Sequence, residues 1–127
     1  MKLDLKAWID KVLSSIITIN NRTKVVEVLN TSYTPTAGWA KRATFTASVT
    51  GLYRVRTSWN NSAVQGQAIG ASTATSVNAT IMMENSTNAS IDNVWFLPAG
   101  SYSVWVKCAS ASTSTNGVLV YRVLETT

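Results

Sequence analysis

The fold is indicated most clearly by the stretch Phe45-Thr46-Ala47-Ser48-Val49-Thr50-Gly51-Leu52-Tyr53-Arg54-Val55-Arg56-Thr57. Apolar and polar residues alternate on both sides of its glycine, which is the period of a strand with one buried face. A three-residue turn centred on Gly51, with a positive φ there, brings both apolar sets to one face. The expected cross-strand pairs are Val49 with Tyr53, Ala47 with Val55 and Phe45 with Thr57. The stretch therefore predicts a β-hairpin within a β-sandwich.

The composition fits one β-rich domain. The chain has 127 residues, enough for one sizeable core. Charged residues make up 13% of it, against about a quarter in an average protein. Abundant Ser, Thr, Asn and Val favour strands and turns over long helices. We therefore predict an all-β, antiparallel sandwich in which helix is confined to a small part.

The charge balance raises the question of an anionic partner. Eleven basic and six acidic residues give a formal net charge of +5. A clustered positive face would attract a phosphate backbone. The basic residues form only short groups here, such as Lys41-Arg42 and the pair Arg54 and Arg56. A nucleic-acid partner is therefore not expected.

The residues that usually carry catalysis are scarce. The chain has no histidine, so Ser-His-Asp triads, Cys-His pairs and imidazole metal sites are excluded. The six acidic residues are scattered, and neither a phosphate-binding glycine loop nor a calcium loop is present. We predict a protein that is not an enzyme and uses no cofactor or metal. One alternative remains, a glycan hydrolase whose acids assemble across subunits.

Cysteine usage and the amino-terminal sequence bear on location. Cys108 is the only cysteine, so we expect a buried structural thiol and no intrachain disulfide. Asp4, Lys6 and Asp10 interrupt what would be the apolar stretch of a signal peptide, so none is expected. No apolar run is long enough to span a membrane.

The spacing of apolar residues predicts one helix, at residues 3–18. Leu5, Ile9, Val12 and Ile16 recur at heptad spacing, with Ile at a and Leu or Val at d, and such a short helix needs a packing partner. The stripe fits a seam between copies of the chain. It also fits packing on the chain's own sandwich. A third reading, a helix lying in a membrane surface, is weakened by Asp4 and Asp10. We predict an oligomerisation helix at 1–20 and a sandwich head at 21–127.

Further strands are predicted along the rest of the chain. They lie at 23–29, 92–97, 101–110 and 118–124, with two irregular strands between 63 and 83. The strands at 92–97 and 101–110 flank Pro98-Ala99-Gly100 and are expected to pair as a second hairpin. Residues 84–90 are polar and predict a turn.

Apolar residues on the outer side of the predicted strands suggest contacts between subunits. The last strand is apolar on both faces, whereas an antiparallel strand normally has one wet face. The simplest arrangement that also uses the helix is a homotrimer. The predicted subunit interface consists of Leu5, Ile9, Val12, Ile16, Phe96, Trp105, Leu119 and Tyr121.

Three residues are candidates for ligand binding. Trp39 follows a loop, and an aromatic ring there suits stacking on a sugar. The alternative is that Trp39 caps one end of the core. Arg54 and Arg56 project together from one strand and suit an anionic or acidic partner. The alternative is that they form a solvated or intersubunit strand face.

Two hairpin-like patterns and the closing strand resemble a known family. They are Phe45-Thr46-x-x-Val49-x-Gly51-Leu52-Tyr53-x-Val55, Leu97-x-x-Gly100-x-x-x-Val104-x-Val106 and Gly117-Val118-Leu119-Val120. Together they resemble the complement-type globular head and tumour-necrosis-factor-like jelly rolls over residues 23–124. Residues 63–83 carry no signature of that family. The resemblance implies a ten-strand jelly roll that trimerises through its inner sheet and binds rather than catalyses.

The opening residues, Met1 to Ile9, look like the start of short proteins encoded beside prophage tail genes. With a helix and a jelly-roll head, the chain is similar in plan to phage receptor-binding and tail-tip proteins. That resemblance implies a virion location, or the bacterial cytoplasm before assembly. It also implies a role in recognising cell-wall polysaccharide or other phage tail proteins. No membrane partner is predicted. An alternative is an intracellular scaffold or oligomerisation protein without a ligand.

Overall fold

The computed structural model describes residues 5–22, 25–60 and 62–123, and for residues 14–22 it describes the backbone only. Within these residues it contains one α-helix, a short 3-10 helix at Val77–Ala79 and eight β-strands. The α-helix is α1, Leu5–Arg22. The strands are β1 Val25–Tyr33, β2 Gly38–Ala47, β3 Gly51–Ser58, β4 Val64–Ala71, β5 Thr80–Ala89, β6 Ile91–Leu97, β7 Gly100–Cys108 and β8 Asn116–Val123.

The strands form two four-stranded antiparallel sheets, in the orders β1-β8-β3-β6 and β2-β7-β4-β5. Along the chain, every consecutive pair of strands except β4 and β5 is divided between the two sheets. Eight strands in two packed sheets with these crossings are a jelly roll. The prediction of an antiparallel jelly-roll sandwich preceded by one helix is therefore confirmed. The ten strands that the family resemblance implied are not found among the described residues, where there are eight.

The core lies between the two sheets and is built by the period-two alternation of the strands. Phe45 and Ala47 on β2 are buried, as are Tyr53 and Val55 on β3. The ring centroids of Phe45 and Tyr53 lie 6.2 Å apart across the sandwich, which is within the range of favourable aromatic pairs. The sequence therefore predicted correctly which faces of these strands point inward.

The pairing predicted for these two strands is wrong. β2 pairs with β7, while β3 pairs with β6 and β8 in the opposite sheet. The segment around Gly51 is thus a crossing between sheets and not a hairpin turn, and Gly51 does not have a positive φ. Alternation could not separate the two arrangements, because strands that face each other across a sandwich and strands paired in a hairpin bury the same residues.

The second expected hairpin is corrected in the same way. β6 and β7 flank Pro98 as predicted, but β6 pairs with β3 while β7 pairs with β2 and β4. In the middle of the chain, the two irregular strands are present as β4 and β5, whose pairing contains two register shifts. The predicted turn at 84–90 is wrong, because β5 continues to Ala89. Val77, expected in a strand, lies in the 3-10 helix.

A buried glutamine links the two sheets inside the core. Gln67 on β4 is fully buried. Its side-chain nitrogen donates to the Val55 carbonyl oxygen at 3.2 Å and to the Thr57 hydroxyl at 3.1 Å, both on β3. Its side-chain oxygen accepts a 2.8 Å hydrogen bond from the Trp95 indole N–H on β6. Since a buried amide without partners would be costly, these bonds make a polar tie acceptable in an apolar core.

A second buried polar cluster surrounds Tyr33 at one end of the sandwich. The Tyr33 hydroxyl lies 3.5 Å from Cys108 Sγ, and Asn116 Nδ2 donates to it at 3.4 Å. The Arg42 guanidinium lies 4.8 Å from the centroid of the Tyr33 ring, within cation–π range. Burial, and then the Cys108 hydrogen bond, raise the pKa of Tyr33 above its ordinary range. Cys108 is a buried free thiol, as predicted.

The outer face of the β2-β7-β4-β5 sheet contains a tryptophan that the chain itself covers. Trp105 on β7 points away from the core, beside Lys41 on β2 and Ala68 on β4. Its side chain is nevertheless 7% exposed. The sequence placed Trp105 on an outer face available to another subunit. Trp105 does lie on the outer side of β7, as the sequence predicts. However, little of its surface remains exposed for contact with another subunit.

The segment 72–79, which joins β4 to β5, lies on this outer side of the sheet, bonded to the neighbour of Trp105 on β2. Its 3-10 helix lies against β2 and β4, the strands on either side of β7. Lys41 Nζ donates to the Ser72 carbonyl oxygen, and at 3.4 Å to that of Ala74. We call the outer side of this sheet the covered face.

Candidate functional site

The outer side of the β1-β8-β3-β6 sheet carries exposed apolar residues, and we call it the open face. It carries Val94 and Phe96 of β6, which are 54% and 60% exposed. Leu119 and Tyr121 of β8 lie beside Arg56 and Arg54 of β3 and are half-buried. Exposed apolar residues grouped on one sheet face are typical of an interaction surface. Phe96, Leu119 and Tyr121 therefore lie where the sequence predicted an interface, although their contact with another subunit stays a prediction.

The charged residues of the open face are partly paired. Arg54 Nε donates to Asp92 Oδ1 at 2.8 Å, and its terminal nitrogen donates to Oδ2. The hydrogen bonds from Arg54 lower the pKa of the Asp92 carboxyl below its ordinary value, against the opposing effect of its partial burial. The same contact raises the pKa of Arg54. Arg54 is thus held on the sheet by a bidentate pair and is not presented alone to a ligand.

Arg54 and Arg56 do share a cavity. A shallow pocket of about 290 Å³ is lined by Val25, Arg54, Arg56 and Tyr121. The two arginines therefore project from the same side of β3, as the sequence predicted. Since two of the four lining residues are apolar, the pocket is part of the open face and suits burial against another surface.

Trp39 lies far from this pair in the fold, on the opposite sheet. It is half-buried on the covered face, across Lys107 from Gly66. Its indole lies so close to Gly66 that a Cβ built there would be 2.6 Å from the ring. The ring therefore lies over the bare backbone of β4. The structure does not bring the predicted ligand-binding residues Trp39, Arg54 and Arg56 together.

The apolar residues of α1 are exposed. Leu5, Ile9 and Val12 are 57%, 43% and 38% exposed, as is expected of a seam that lacks its partner. Every residue from 5 to 13 is exposed, so this part of the stripe does not pack on its own sandwich. The side chain of Ile16 lies outside the described residues.

A polar groove at one end of the sandwich was not identified from the sequence. It has a volume of about 540 Å³ and lies across the start of β8, between the end of β1 and the end of β3. Trp59 is its aromatic residue and is 50% exposed. The lining residues are Asn30, Thr31, Ser32, Ser58, Trp59, Asn60, Thr115, Asn116 and Gly117.

The walls of this groove are fixed by hydrogen bonds. The Trp59 backbone N–H donates to Ser90 Oγ at 2.7 Å. The Asn60 backbone N–H donates to Asn116 Oδ1 at 3.1 Å, and Asn60 Nδ2 donates to the Thr115 carbonyl oxygen at 3.2 Å. Asn116 is itself buried and donates to the Ser62 carbonyl oxygen at 2.8 Å. The segment that carries Trp59 is therefore held to the start of β8 in one arrangement.

The sequence did contain a signal for this groove. Trp59 directly precedes a run of asparagine and serine that predicts a turn, and a tryptophan at a turn lies at an end of a sandwich. Ser58 and Asn60 flank Trp59 in sequence, but the remaining polar groups come from β1 and from Thr115 and Asn116 at the start of β8, which are distant in sequence. Only the sheet order brings them beside Trp59, so the sequence pattern alone could not assemble the site.

Within residues 5–22, 25–60 and 62–123, no helix is long and apolar enough to cross a membrane. In the same residues, no group of three or more His, Cys, Asp or Glu side chains could hold a metal ion.

Comparison with known proteins assigns the chain to no family. No family model and no curated protein matches it. A similar solved structure is the C-terminal domain of a structural protein from sulfolobus turreted icosahedral virus. The sequence identity is 16%, the match covers 80% of this chain and 100% of that chain, and the TM-score is 0.46.

Proposed function

We propose that this chain is a non-enzymatic structural subunit of a phage or prophage tail that assembles as a homotrimer. Its jelly-roll head would recognise a cell-surface glycan or another virion protein. Jelly rolls with two packed sheets occur in viral capsid and lectin domains, which assemble or bind rather than catalyse. The resemblance of the opening residues to prophage tail-associated proteins supports the same class.

The observation that carries the assembly proposal is the exposed stripe of α1. Helices in proteins owe most of their stability to the packing of an apolar face, and α1, with 18 residues, has such a face. Leu5, Ile9 and Val12 are exposed in the single chain. A second and third copy would bury them in a heptad seam, for which isoleucine at a positions is compatible with three strands.

The open face supports the same assembly. α1 ends at Arg22 and β1 begins at Val25, so the helix enters the sandwich at an edge strand of the sheet that carries the open face. Copies that associate through their helices therefore hold their open faces near one another. Phe96, Leu119 and Tyr121 would then be shielded by sister subunits.

Light scattering after gel filtration measures the mass of the full chain in solution and so tests the assembly. We expect three chains per particle at micromolar concentration. Ile9→Asp places a charge in the proposed seam and should lower the mass to that of one chain. Ala7→Asp is the matched control, because it adds the same charge on the opposite side of the helix and should leave the mass unchanged. A wild-type monomer would refute the assembly.

The virion assignment needs a separate measurement. Mass spectrometry of purified phage particles should detect the chain at a fixed ratio to known tail proteins. A chain that assembles but is absent from particles, and binds neither glycan nor tail protein, would instead be a scaffold.

A further inference from the structure

The groove around Trp59 has the composition of a site for a neutral, hydroxyl-rich ligand. None of its nine lining residues is charged, although the chain as a whole carries a formal charge of +5. Its volume of about 540 Å³ falls within the range of roughly 300–1,000 Å³ found for small-molecule sites. Phosphate-bearing ligands are disfavoured, because such sites present Lys, Arg or a row of backbone N–H groups.

From this groove we infer a binding site for a neutral saccharide, in which Trp59 stacks on a sugar ring and the surrounding asparagine and serine side chains bond its hydroxyls. A pyranose ring has an apolar side of C–H groups and a rim of hydroxyls. An exposed indole matches the first, and side-chain amides and hydroxyls, which both donate and accept, match the second. This groove would be the place where the proposed glycan recognition occurs. The inference therefore rests on the glycan-binding part of the proposed function.

Preorganisation strengthens the assignment. The Trp59 backbone is fixed by Ser90, and Asn60 is fixed by its bonds to Thr115 and Asn116. A site whose walls are already held in place loses less conformational freedom when a ligand binds. Opposite Trp59, Asn30 and Ser32 are exposed on β1 and line the same groove. The indole and these side chains therefore form two sides of one opening.

The other candidate surfaces suit a saccharide less well. Trp39 is half-buried over Gly66, so part of its ring is already used within the chain. The pocket of Arg54 and Arg56 is also lined by Val25 and Tyr121, and its charges suit an anionic or protein partner. Trp59 alone among these residues combines an exposed ring with an uncharged polar lining.

The first test screens the wild-type chain on an array of neutral oligosaccharides and their sialylated and sulfated counterparts. We expect binding to neutral members, with a dissociation constant of about 1 mM per chain for a trisaccharide, because one stacked ring and a few hydrogen bonds give weak affinity. The best neutral trisaccharide is then titrated by NMR. Binding to no neutral probe, or a preference for the charged counterparts, would overturn the inference.

The second test uses variants with matched controls. Trp59→Ala should weaken binding of that trisaccharide about tenfold or more, and Trp59→Phe should lose less. Phe96→Ala removes another exposed aromatic ring, from the open face, and should bind normally. Asn30→Ala should weaken binding severalfold, whereas Asn78→Ala, an exposed asparagine outside the groove, should not. Unchanged binding by both Trp59→Ala and Asn30→Ala would overturn the assignment to this groove.

Folding and assembly are read out separately. The Ser90 bond to residue 59 involves its backbone N–H, so it survives any side-chain change there, and thermal unfolding should confirm that Trp59→Ala is folded. If the chain is a monomer that binds the trisaccharide through Trp59, the trimer proposal is refuted and the saccharide site is supported. If it is a trimer that binds no neutral saccharide, the trimer proposal is supported and the saccharide site is refuted.

Discussion

The two outer faces of the sandwich differ in how much of their apolar surface is covered by other parts of the chain. Each sheet has an apolar outer surface beside its central strands. On the covered face the segment 72–79 contacts β2 and β4, and Trp105, on the strand between them, is 7% exposed. On the open face Phe96 remains 60% exposed. The comparison shows that an outward apolar residue alone does not identify an interface, because it can be buried within its own chain.

The largest effect is expected from removing the buried tryptophan of the covered face. Trp105→Ala leaves a cavity under segment 72–79 and should lower the free energy of unfolding by about 3–5 kcal/mol. Urea denaturation measures this. Trp59→Ala, which removes an exposed tryptophan, is the control and should cost no more than about 0.5 kcal/mol. Equal, small losses in both variants would mean that the segment does not cover Trp105.

A smaller loss is expected where Trp39 packs on the covered face. In Gly66→Ala the new Cβ collides with the indole, so the ring must move, at a cost of about 1–3 kcal/mol in the free energy of unfolding. Gly51→Ala is the matched control, since a Cβ there meets nothing within 4 Å. It should be close to neutral in the same urea titration. A neutral Gly66→Ala would show that Trp39 does not rest on β4.

Phe96→Ala tests the open face. Unlike Trp105→Ala, it should cost little stability in the single chain and should act only on association. At high dilution it should change the free energy of unfolding by less than about 0.5 kcal/mol, because the ring is exposed in the single chain. At high concentration the wild type should gain stability through association, and the variant should gain less. Calorimetry over a range of protein concentrations measures both. If the melting temperatures of both proteins are independent of concentration, the open face is not an interface.

The smallest effect concerns the ion pair on the open face. The folded-state pKa of Asp92 is lowered by Arg54, so the pair stabilises the fold at neutral pH. That contribution should be fully present above the ordinary Asp pKa of about 4 and lost as pH falls from there through the lower pKa of the folded state. Asp92→Asn should therefore be slightly less stable than wild type at pH 7, with the gap closing in acid. Since Arg54 and Asp92 are partly exposed, the gap is small and shrinks further in high salt.

Glu84→Gln is the control for that titration, because Glu84 is an exposed carboxylate on β5. A gap between Asp92→Asn and wild type that stays constant from pH 7 to pH 3 would contradict the role assigned to the pair.

The sequence predicted strand faces well and strand partners poorly, for one physical reason. Period-two alternation records which side of a strand meets the core, and Phe45, Tyr53 and Val55 are buried accordingly. The alternation does not indicate which strand is the hydrogen-bonded neighbour, so the pairing predicted for both hairpins is wrong. β5 was missed in part because its second half is polar. As an edge strand, β5 has fewer apolar neighbours to require an alternating pattern.

The candidate sites show the same limit. Arg54 and Arg56 share one strand, and their common side was predictable from local sequence. The cover over Trp105 and the groove of Trp59 both depend on segments that are distant in sequence. Hydrophobic pattern identifies an outward aromatic residue, but only the path of the chain decides whether that residue is buried, exposed or part of a site.

The order of strands also sets when this protein can fold. β1 lies beside β8 alone in its sheet, with Val25 opposite Val123, and β3 too needs β8 on one side. During synthesis β1 and β3 therefore cannot complete their pairing until β8 has left the ribosome. Such long-range pairing makes folding slow and leaves strand edges unprotected meanwhile. The nascent chain should consequently become protease-resistant only once β8 has left the ribosome, in a single late step.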